Sequence, residues 1–290
     1  CISDLLPHLG AKQNAKTLAD GITAEELNVI IASLPIADKD AEQRVKLNVL
    51  GMLNEAYGIT ERDFTRAEIE VVPAYKARDI GLDRAMIGAY GHDDRVDAYP
   101  ALMAEIGTKS PAYTSVCVLT DKEETGSDGN TGMNSAFLRH FIGYLADMQG
   151  GCAALALENS KCLSADVNAA FDPTFPDVME KRNACMLNYG AVITKYTGAR
   201  GKGGTSDASA EFVAWIRNIL DKNNVVWQTG ELGKVDLGGG GTVAMYIANL
   251  GVDVVDLGVP VLSMHAPFEV VAKFDVYMTY LAVKALFEAE

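Results

Sequence analysis

Tyr113-Thr-Ser-Val-Cys-Val-Leu-Thr-Asp-Lys-Glu-Glu-Thr-Gly-Ser127 joins an apolar, β-branched run to two adjacent glutamates. The run over residues 113–120 predicts a buried strand of an α/β sheet, and residues 135–148 predict a helix after it. Glu123 and Glu124 therefore follow the carboxyl end of a strand, where open α/β sheets place their ligands. Adjacent side chains diverge there, so one glutamate can bind a metal while the other transfers a proton. For an isolated Glu-Glu pair, a solvated charged turn is the alternative.

From Gly91 onward the chain repeats this order of strand, loop and helix. The alternation predicts an α/β protein with a mainly parallel central sheet flanked by helices. Further strands are predicted over residues 85–90, 153–157, 161–166, 191–196, 224–229, 252–255 and 259–263. Further helices are predicted over residues 96–106, 208–221, 242–250 and 270–289.

The opening segment has a different pattern, which predicts a smaller unit over residues 1–75 ahead of a main domain over residues 76–290. Its first helix, predicted over residues 23–34, begins with a possible capping box from Thr23 to Glu26. A second helix is predicted over residues 40–57 and a strand over residues 64–72.

Composition narrows the class of protein. Apolar residues make up 49% of the 290 and charged residues 22%, as in ordinary globular proteins. The formal charge of 25 − 39 = −14 argues against binding of nucleic acid through a basic surface. The sequence also predicts no membrane span, because no apolar run approaches ~20 residues. The five cysteines are odd in number and show no Cys-x-x-Cys spacing, which predicts reduced, buried thiols in a cytoplasmic protein.

Four short motifs each place an acidic or histidine residue at the end of a predicted element. They are Gly91-His-Asp-Asp-Arg95, Asp121-Lys-Glu-Glu124, Ser164-Ala-Asp166 and Ser263-Met-His265. Carboxylates with a single imidazole suit Zn²⁺, Mn²⁺ or Co²⁺, and two such ions close together can catalyse peptide hydrolysis. Each motif is weak alone, since an isolated histidine is more often a core residue, but together they predict one metal site at a rim of the sheet.

Two residues beside the first motif keep alternative roles. Asp94 can orient a ligand from outside the metal's own coordination sphere, or it can be a helix N-terminal carboxylate stabilised by the helix dipole. For His92 a surface or packing role is favoured.

These motifs resemble those of the aspartyl-aminopeptidase-type zinc metallopeptidases, relatives of the wider dinuclear aminopeptidase superfamily. Family members carry Gly-x-Asp-(Asp/Asn), Asp-x-Glu-Glu-x-Gly-Ser, Ser-Ala-Asp and Ser-Met-His-(Ser/Ala)-x-x-Glu segments, and each has a counterpart here. The resemblance is close from Gly91 to the last residue and looser before it, and it implies a zinc-exopeptidase-like fold.

The resemblance implies a metal-dependent aminopeptidase that holds two divalent ions, with zinc expected and cobalt or manganese as alternatives. It implies that Asp93 bridges the two ions, that Glu124 and His265 hold one of them, and that Asp166 holds the other. Glu123 is then the general base that takes a proton from the metal-activated bridging water.

The resemblance also has a gap. Family chains are longer and carry an additional metal-binding His in a Ser-His-x-Asp motif, which is absent here, so the chain is expected to be the C-terminal portion of a longer protein. Ile2-Ser-Asp-Leu-Leu-Pro-His-Leu9 is similar to a segment of the family's inserted oligomerisation domain. The first 75 residues are accordingly expected to be part of that domain and to self-associate into a large homo-oligomer. His8 then reaches a neighbouring subunit's substrate pocket, with an ordinary loop histidine as the alternative.

A substrate-binding loop is expected between Gln228 and Thr242. Lys234 can pair with a substrate carboxylate, and the backbone at Gly239, within the run 238–241, can approach a ligand closely. A flexible connector with a solvated lysine is the alternative. The preference between acidic and neutral N-terminal residues stays open, because this chain departs from the family after Ser-Ala-Asp.

Two other functions remain for a chain with these motifs. One is a related metal-dependent deacylase that acts on an amide other than a peptide bond. The other is a non-catalytic assembly protein of the same fold, which the missing histidine motif would favour.

Overall fold

The computed structural model describes residues 1–198, 200, 203–204 and 206–290. It divides into two compact units, Cys1–Val72 and Pro73–Glu290. Each unit is described by itself below.

The first unit has little core of its own. Within residues 1–72, all of which the structure describes, only Gly10 is buried. Large apolar side chains such as Leu9 (72% exposed), Leu18 (100%) and Ile31 (76%) face solvent. Its helices are α1 (Ala11–Asn14) and α2 (Arg44–Tyr57), with 3₁₀ turns at Pro7–Leu9, Leu18–Asp20, Ala24–Glu26 and Glu61–Thr65.

Two predictions for this unit are wrong. Residues 23–34 form only the 3₁₀ turn Ala24–Glu26, although the Glu26 carboxylate accepts the predicted hydrogen bond from the Thr23 amide. The β-branched run from Val29 to Ile31 disfavours extension of this turn into a helix. Residues 64–72 form no strand.

The second unit contains two mixed sheets. The first has the strand order β1-β2-β9-β8-β4, and the second has the order β3-β7-β5-β6. The strands are β1 (Arg78–Ile80), β2 (Met86–Ala89), β3 (Lys161–Ser164), β4 (Asn168–Ala169), β5 (Ala191–Thr194), β6 (Trp227–Thr229), β7 (Asp253–Gly258), β8 (Pro260–Leu262) and β9 (Glu269–Ala272). Pairs β3–β7, β5–β6 and β4–β8 are parallel, and the other four pairs are antiparallel.

Helices cover both faces of the second sheet. The helices of this unit are α3 (His92–Gly107), α4 (Phe137–Met148), α5 (Ala153–Glu158), α6 (Ala210–Lys222), α7 (Ala244–Ala248) and α8 (Lys273–Phe287). Helices α6 and α8 pack on β5 and β7 around Ile216 and Leu257, which are almost fully buried. Helices α5 and α7 pack on the opposite face of β7 around Val254, because successive strand residues point to opposite faces.

The α/β class is thus confirmed, but the single, mainly parallel sheet is wrong. One reason is the short connection between β8 and β9, residues 263–268. A parallel crossover needs a dozen or more residues, so these strands pair as an antiparallel hairpin. Periodicity identifies the strands but carries no information on their pairing.

Two of the predicted strands in this unit are also wrong. Ala153–Glu158 is a helix, in keeping with its alanine and leucine content. Residues 114–120 run without strand pairing to any described residue, and Tyr113 and Leu119 are 75% and 57% exposed. Pairing begins only at Asp121, which bridges to Gly132.

The two sheets meet beside the predicted metal site. Strand β7 passes through Val259 into β8, and β3 passes through residues 165–167 into β4. These two connections between the sheets lie so close together that a Cβ atom on Gly258 would be 1.9 Å from the Asp166 carbonyl oxygen. Glycine is therefore required where Asp166 is presented.

Candidate metal centre and substrate pocket

Asp93 and Asp94 lie between strand β2 and the regular part of α3. Gly91 caps this helix with a φ of 71°, and neither aspartate has helical backbone angles. The peptide bond between them is cis. Their side chains therefore project from an irregular turn at the end of a strand.

One group of possible ligands comes from three separate segments. The Nε2 atom of His265, in the turn between β8 and β9, lies 2.9 Å from Oδ2 of Asp93 and 3.1 Å from Oε1 of Glu124. Glu124 belongs to the 3₁₀ turn Glu123–Thr125. The structure thus brings together three of the predicted ligands, with atoms within 4.8 Å of one another.

A second group consists of Asp93, Asp94 and Asp166, again with oxygens within 4.8 Å of one another. Asp93 belongs to both groups, which is the position of a bridging ligand. The sequence leaves the role of Asp94 open. Its Oδ1 is buried and, in the described structure, has no N–H or hydroxyl donor as a partner. The Asp94 side chain also lies within hydrogen-bonding reach of Asp97, so this oxygen is accounted for either by a proton shared between the two carboxyl groups or by a cation held with Asp93 and Asp166.

The electrostatics of the two groups favour a bound cation. Burial, followed by the charge of Glu124, raises the pKa of Asp93 to about 6. Burial, followed by neighbouring carboxylates, raises the pKa of Asp94 and of Asp166 well above the usual range. Removal of carboxylates from water beside like charges disfavours their ionised forms. Because carboxylates and an imidazole suit Zn²⁺, Mn²⁺ and Co²⁺, these residues fit such an ion.

Glu123 lies beside the first group but belongs to neither. It is half-buried, and burial, followed by the charge of Glu124, raises its pKa. The turn that carries it lies between Lys122 (φ 66°) and Gly126 (φ 102°). A raised pKa suits a carboxyl group that exchanges protons near neutral pH.

Glu269 connects two of the ligand-bearing segments and was given no role from the sequence. It is 2% exposed; its Oε2 accepts a hydrogen bond from the Asp93 amide (3.1 Å) and its Oε1 accepts one from the His265 amide (2.8 Å). The available signal was its place at the end of Ser263-Met-His-Ala-Pro-Phe-Glu269. Only the fold shows that it reaches Asp93.

Asp97 is a second residue that sequence reasoning missed. It is fully buried one turn after Asp93 and Asp94, and its Oδ2 accepts a hydrogen bond from the Val259 amide. Burial raises its pKa to about 7. The helical spacing of three residues from Asp94 was the only signal in the sequence.

A cavity of about 140 Å³ adjoins Asp166. Gly239 lines it, and only glycine fits there, because a Cβ would lie 1.8 Å from the Gly198 carbonyl oxygen. Lys234 does not line the cavity, and its amide donates to the Val178 carbonyl. The pKa of Glu180 is lowered by its hydrogen bonds with Arg182 and, to a smaller extent, by the charge of Lys234. The role of Lys234 in substrate binding stays a prediction.

His8 lies in the turn Pro7–Leu9 of the first unit and is exposed. Its role in a neighbouring subunit also stays a prediction.

The five cysteines are unpaired thiols, as predicted. Cys1 and Cys152 are exposed, however, so the prediction of burial is wrong for these two. In the described part of the chain, no helix has the length and apolar character needed to cross a membrane.

Comparisons with known proteins identify the family of this chain. A family described as "Aminopeptidase I zinc metalloprotease (M18)" matches residues 1–287. A probable M18 family aminopeptidase 1 of Clostridium acetobutylicum is 49% identical over 282 residues, which cover 96% of this chain and 61% of that protein. The crystal structure of an M18 aminopeptidase from Thermotoga maritima matches with a TM-score of 0.93 and 46% identity, over 99% of this chain and 64% of that one.

More distant structures share the fold. The mApe1 dodecamer of S. cerevesiae matches with a TM-score of 0.64 at 20% identity, over 83% of this chain and 55% of that one. This chain spans less than two thirds of the length of the relatives that it matches.

Proposed function

Because this chain belongs to the M18 family of zinc aminopeptidases, we propose that its protein removes the N-terminal residue from peptides. The observation that carries the proposal is the position of Asp93, which belongs to two adjacent groups of possible metal ligands. A single carboxylate shared between two groups is what a pair of ions requires.

The proposed cofactors are two divalent metal ions, zinc first, with cobalt or manganese as alternatives. Asp93, Glu124 and His265 would hold one ion, and Asp93 with Asp166 the other; Asp94 lies close enough to contribute to the second. When bound, the ions supply acidification of a water molecule and polarisation of the scissile carbonyl. The additional histidine of a Ser-His-x-Asp segment stays a prediction.

Glu123 is the proposed general base. Its half-buried position, beside the ligand groups but outside both, leaves its carboxylate available to take a proton from the attacking water. The same carboxyl group then gives the proton to the leaving amine. A raised pKa supports both steps, because the group must hold the proton briefly near neutral pH.

Self-association is proposed from the first unit. Many of its large apolar side chains are exposed, and an extended exposed apolar surface marks an interaction site. We assign the unit to an oligomerisation domain, with His8 contributing to a neighbour's substrate pocket. The unpaired thiols support a reducing compartment, the cytoplasm.

The test uses the protein expressed from its complete gene. We expect two zinc ions per subunit and hydrolysis of amino-acid p-nitroanilides. Activity should be lost on chelation and recovered with zinc. Light scattering should show a species larger than a monomer. Turnover of N-acyl substrates in place of free-amine substrates would favour a deacylase. A folded protein that binds no zinc would contradict the proposal.

A further inference from the structure

The turn that carries His265 has a strained backbone. It spans residues 263–268 between β8 and β9, and both Ser263 (φ 60°) and His265 (φ 64°) have left-handed backbone angles. A non-glycine residue keeps such an angle only where the surrounding structure fixes it. The His265 side chain is 61% exposed, so its burial does not fix it. The position of this ligand therefore depends on the contacts that hold its turn.

The last residue of the turn and the first residue of β9 point to opposite faces of the first sheet. Glu269 points to the face of Val271, which lies in one buried cluster with Val96 of α3. From that face its carboxylate accepts a hydrogen bond from the His265 amide. Phe268 directly precedes Glu269, and adjacent residues of an extended segment point to opposite faces. Phe268 is therefore placed to anchor the turn from the other face.

The ring of Phe268 lies directly on Gly88 of strand β2. A Cβ atom at Gly88 would be 2.3 Å from Cζ of the ring and 2.4 Å from Cε1, so any other residue at this position would displace the ring. Gly88 pairs with Val270 of β9, and paired residues share one face of the sheet. Strand β2 leads into the segment that carries Asp93. The contact thus ties the turn of His265 to the strand that presents the shared ligand.

Tyr75 and Arg78 lie against the sides of the same ring. The Tyr75 ring meets Phe268 edge-on, with 5.5 Å between the ring centroids and an interplanar angle of 64°. The guanidinium carbon of Arg78 lies 5.6 Å from the Phe268 centroid, and Arg78 pairs with Gly88 across β1 and β2. Both kinds of contact favour one orientation of an aromatic ring. We call Gly88, Tyr75 and Arg78 the Phe268 seat.

We propose that Phe268 is a positioning residue for the metal centre, which holds the His265 turn against β2 through the Phe268 seat. The inference rests on the proposed metal-dependent function, because the residue acts on a metal ligand. Glu269 fixes the amides of Asp93 and His265, whereas Phe268 fixes where the end of the turn lies on the sheet. Without the ring, the imidazole is free to move away from the other ligands of the first group.

The experiment measures the product of the two zinc association constants, by competition with a chromogenic chelator, in the protein from the complete gene. Phe268→Leu keeps an apolar side chain but removes the ring, and should lower this product by about 10-fold, as for other contacts that orient a metal ligand. Arg78→Gln removes one exposed cation–π contact and should lower it by about 2–5-fold. Phe274→Leu is the matched control: it removes a ring from the first turn of α8, beyond the opposite end of β9, and should leave the product unchanged.

Two double variants separate positioning from a general loss of stability. In the His265→Ala background, Phe268→Leu should change the product by less than about 2-fold, because the residue acts through the ligand that is already missing. Gly88→Ala should cause a loss similar to that of Phe268→Leu, since it displaces the same ring. Combined, these two substitutions should cost less than the sum of their separate effects, because both break one contact.

Parental zinc affinity in Phe268→Leu, or an equal loss with and without His265, would overturn the positioning role. The readout needs bound zinc but no peptide hydrolysis, so a protein that binds zinc and cleaves no peptide contradicts only the proposed peptidase. If the parent protein binds no zinc, the proposed function fails, and metal-free crystal structures decide the role of Phe268. Retention in Phe268→Leu of the 2.9 Å distance between His265 Nε2 and Asp93 Oδ2 rejects the positioning role, and loss of this contact supports it.

Discussion

The hydrogen bonds of Glu269 lead to a quantitative prediction for the metal centre. Its two carboxylate oxygens accept from the amides of Asp93 and His265, which bear ligands of the first group. Glu269 is thus a positioning residue, since it fixes the backbones of two ligands whose segments are far apart in sequence. Glu269→Gln keeps the size of the side chain but leaves only one oxygen as acceptor.

The expected cost follows from these contacts. A hydrogen bond to a charged group contributes about 1.5–3 kcal/mol, and a buried donor without a partner costs about 1–3 kcal/mol. Removal of the Glu269 charge also relieves part of its repulsion with Asp93, which offsets some of this loss. We therefore expect Glu269→Gln to lower the free energy of unfolding of the zinc-free protein by about 2 kcal/mol. Zinc affinity should fall by about 10–100-fold.

Two measurements on the protein from the complete gene test this. Urea unfolding in the presence of a chelator gives the loss of stability, and competition with a chromogenic chelator gives the zinc affinity. Glu288→Gln is the matched control: Glu288 is exposed at the end of α8, 3.7 Å from Lys284, and its loss should cost less than about 1 kcal/mol. Parental zinc affinity in Glu269→Gln, together with an unchanged unfolding free energy, would refute the positioning role.

Two further variants test the base and a buried carboxyl group. Glu123→Gln should retain zinc while kcat falls by at least ~100-fold, as measured by metal analysis and steady-state kinetics; near-normal turnover would remove the assignment of the base. Asp275 is buried in α8 and accepts hydrogen bonds from the Asn188 and Gly190 amides, yet burial outweighs these bonds and raises its pKa to about 6 from 3.8. The folded protein therefore binds more protons than the unfolded chain between these values, so stability falls as pH rises from about 4 to 7, by about 3 kcal/mol from this group. Between pH 4 and pH 7, the free energy of unfolding of the zinc-free protein, measured with urea, should therefore fall by about 3 kcal/mol less in Asp275→Asn than in the parent protein. Parallel pH profiles of the two proteins would contradict the raised pKa of Asp275.

The ligands that can be predicted from sequence are those whose chemistry is local to a motif. Glu124 and His265 follow from residue type and from position at the end of an element, and the structure places them 3.1 Å apart. Asp94 could not be assigned in this way, because its unpartnered oxygen is visible only when the burial around it is known. The role of Glu269 likewise depends on the pairing of β2 with β9, which sets Ala89 opposite Glu269 and so brings the start of α3 to its carboxylate.

The fold shows the same division between local and long-range information. The short apolar run over residues 153–157 suits either a strand or a helix, and helix propensity decides for α5. Residues 114–120 have the composition of a strand but pair with no described residue. A strand requires backbone partners that periodicity does not supply, whereas a helix satisfies its hydrogen bonds within one segment.

The metal centre therefore depends on contacts that the motifs do not encode. Asp93 and His265 each carry a ligand atom on an irregular turn, and turns of this kind have few internal constraints. The buried carboxylate of Glu269 supplies the missing constraint, because it holds both turns at the start of β9. A chain with all four motifs but without this contact would have the right ligand types without a fixed distance between them. Ligand chemistry and ligand spacing are thus determined by different residues, and the Glu269 variant separates the two.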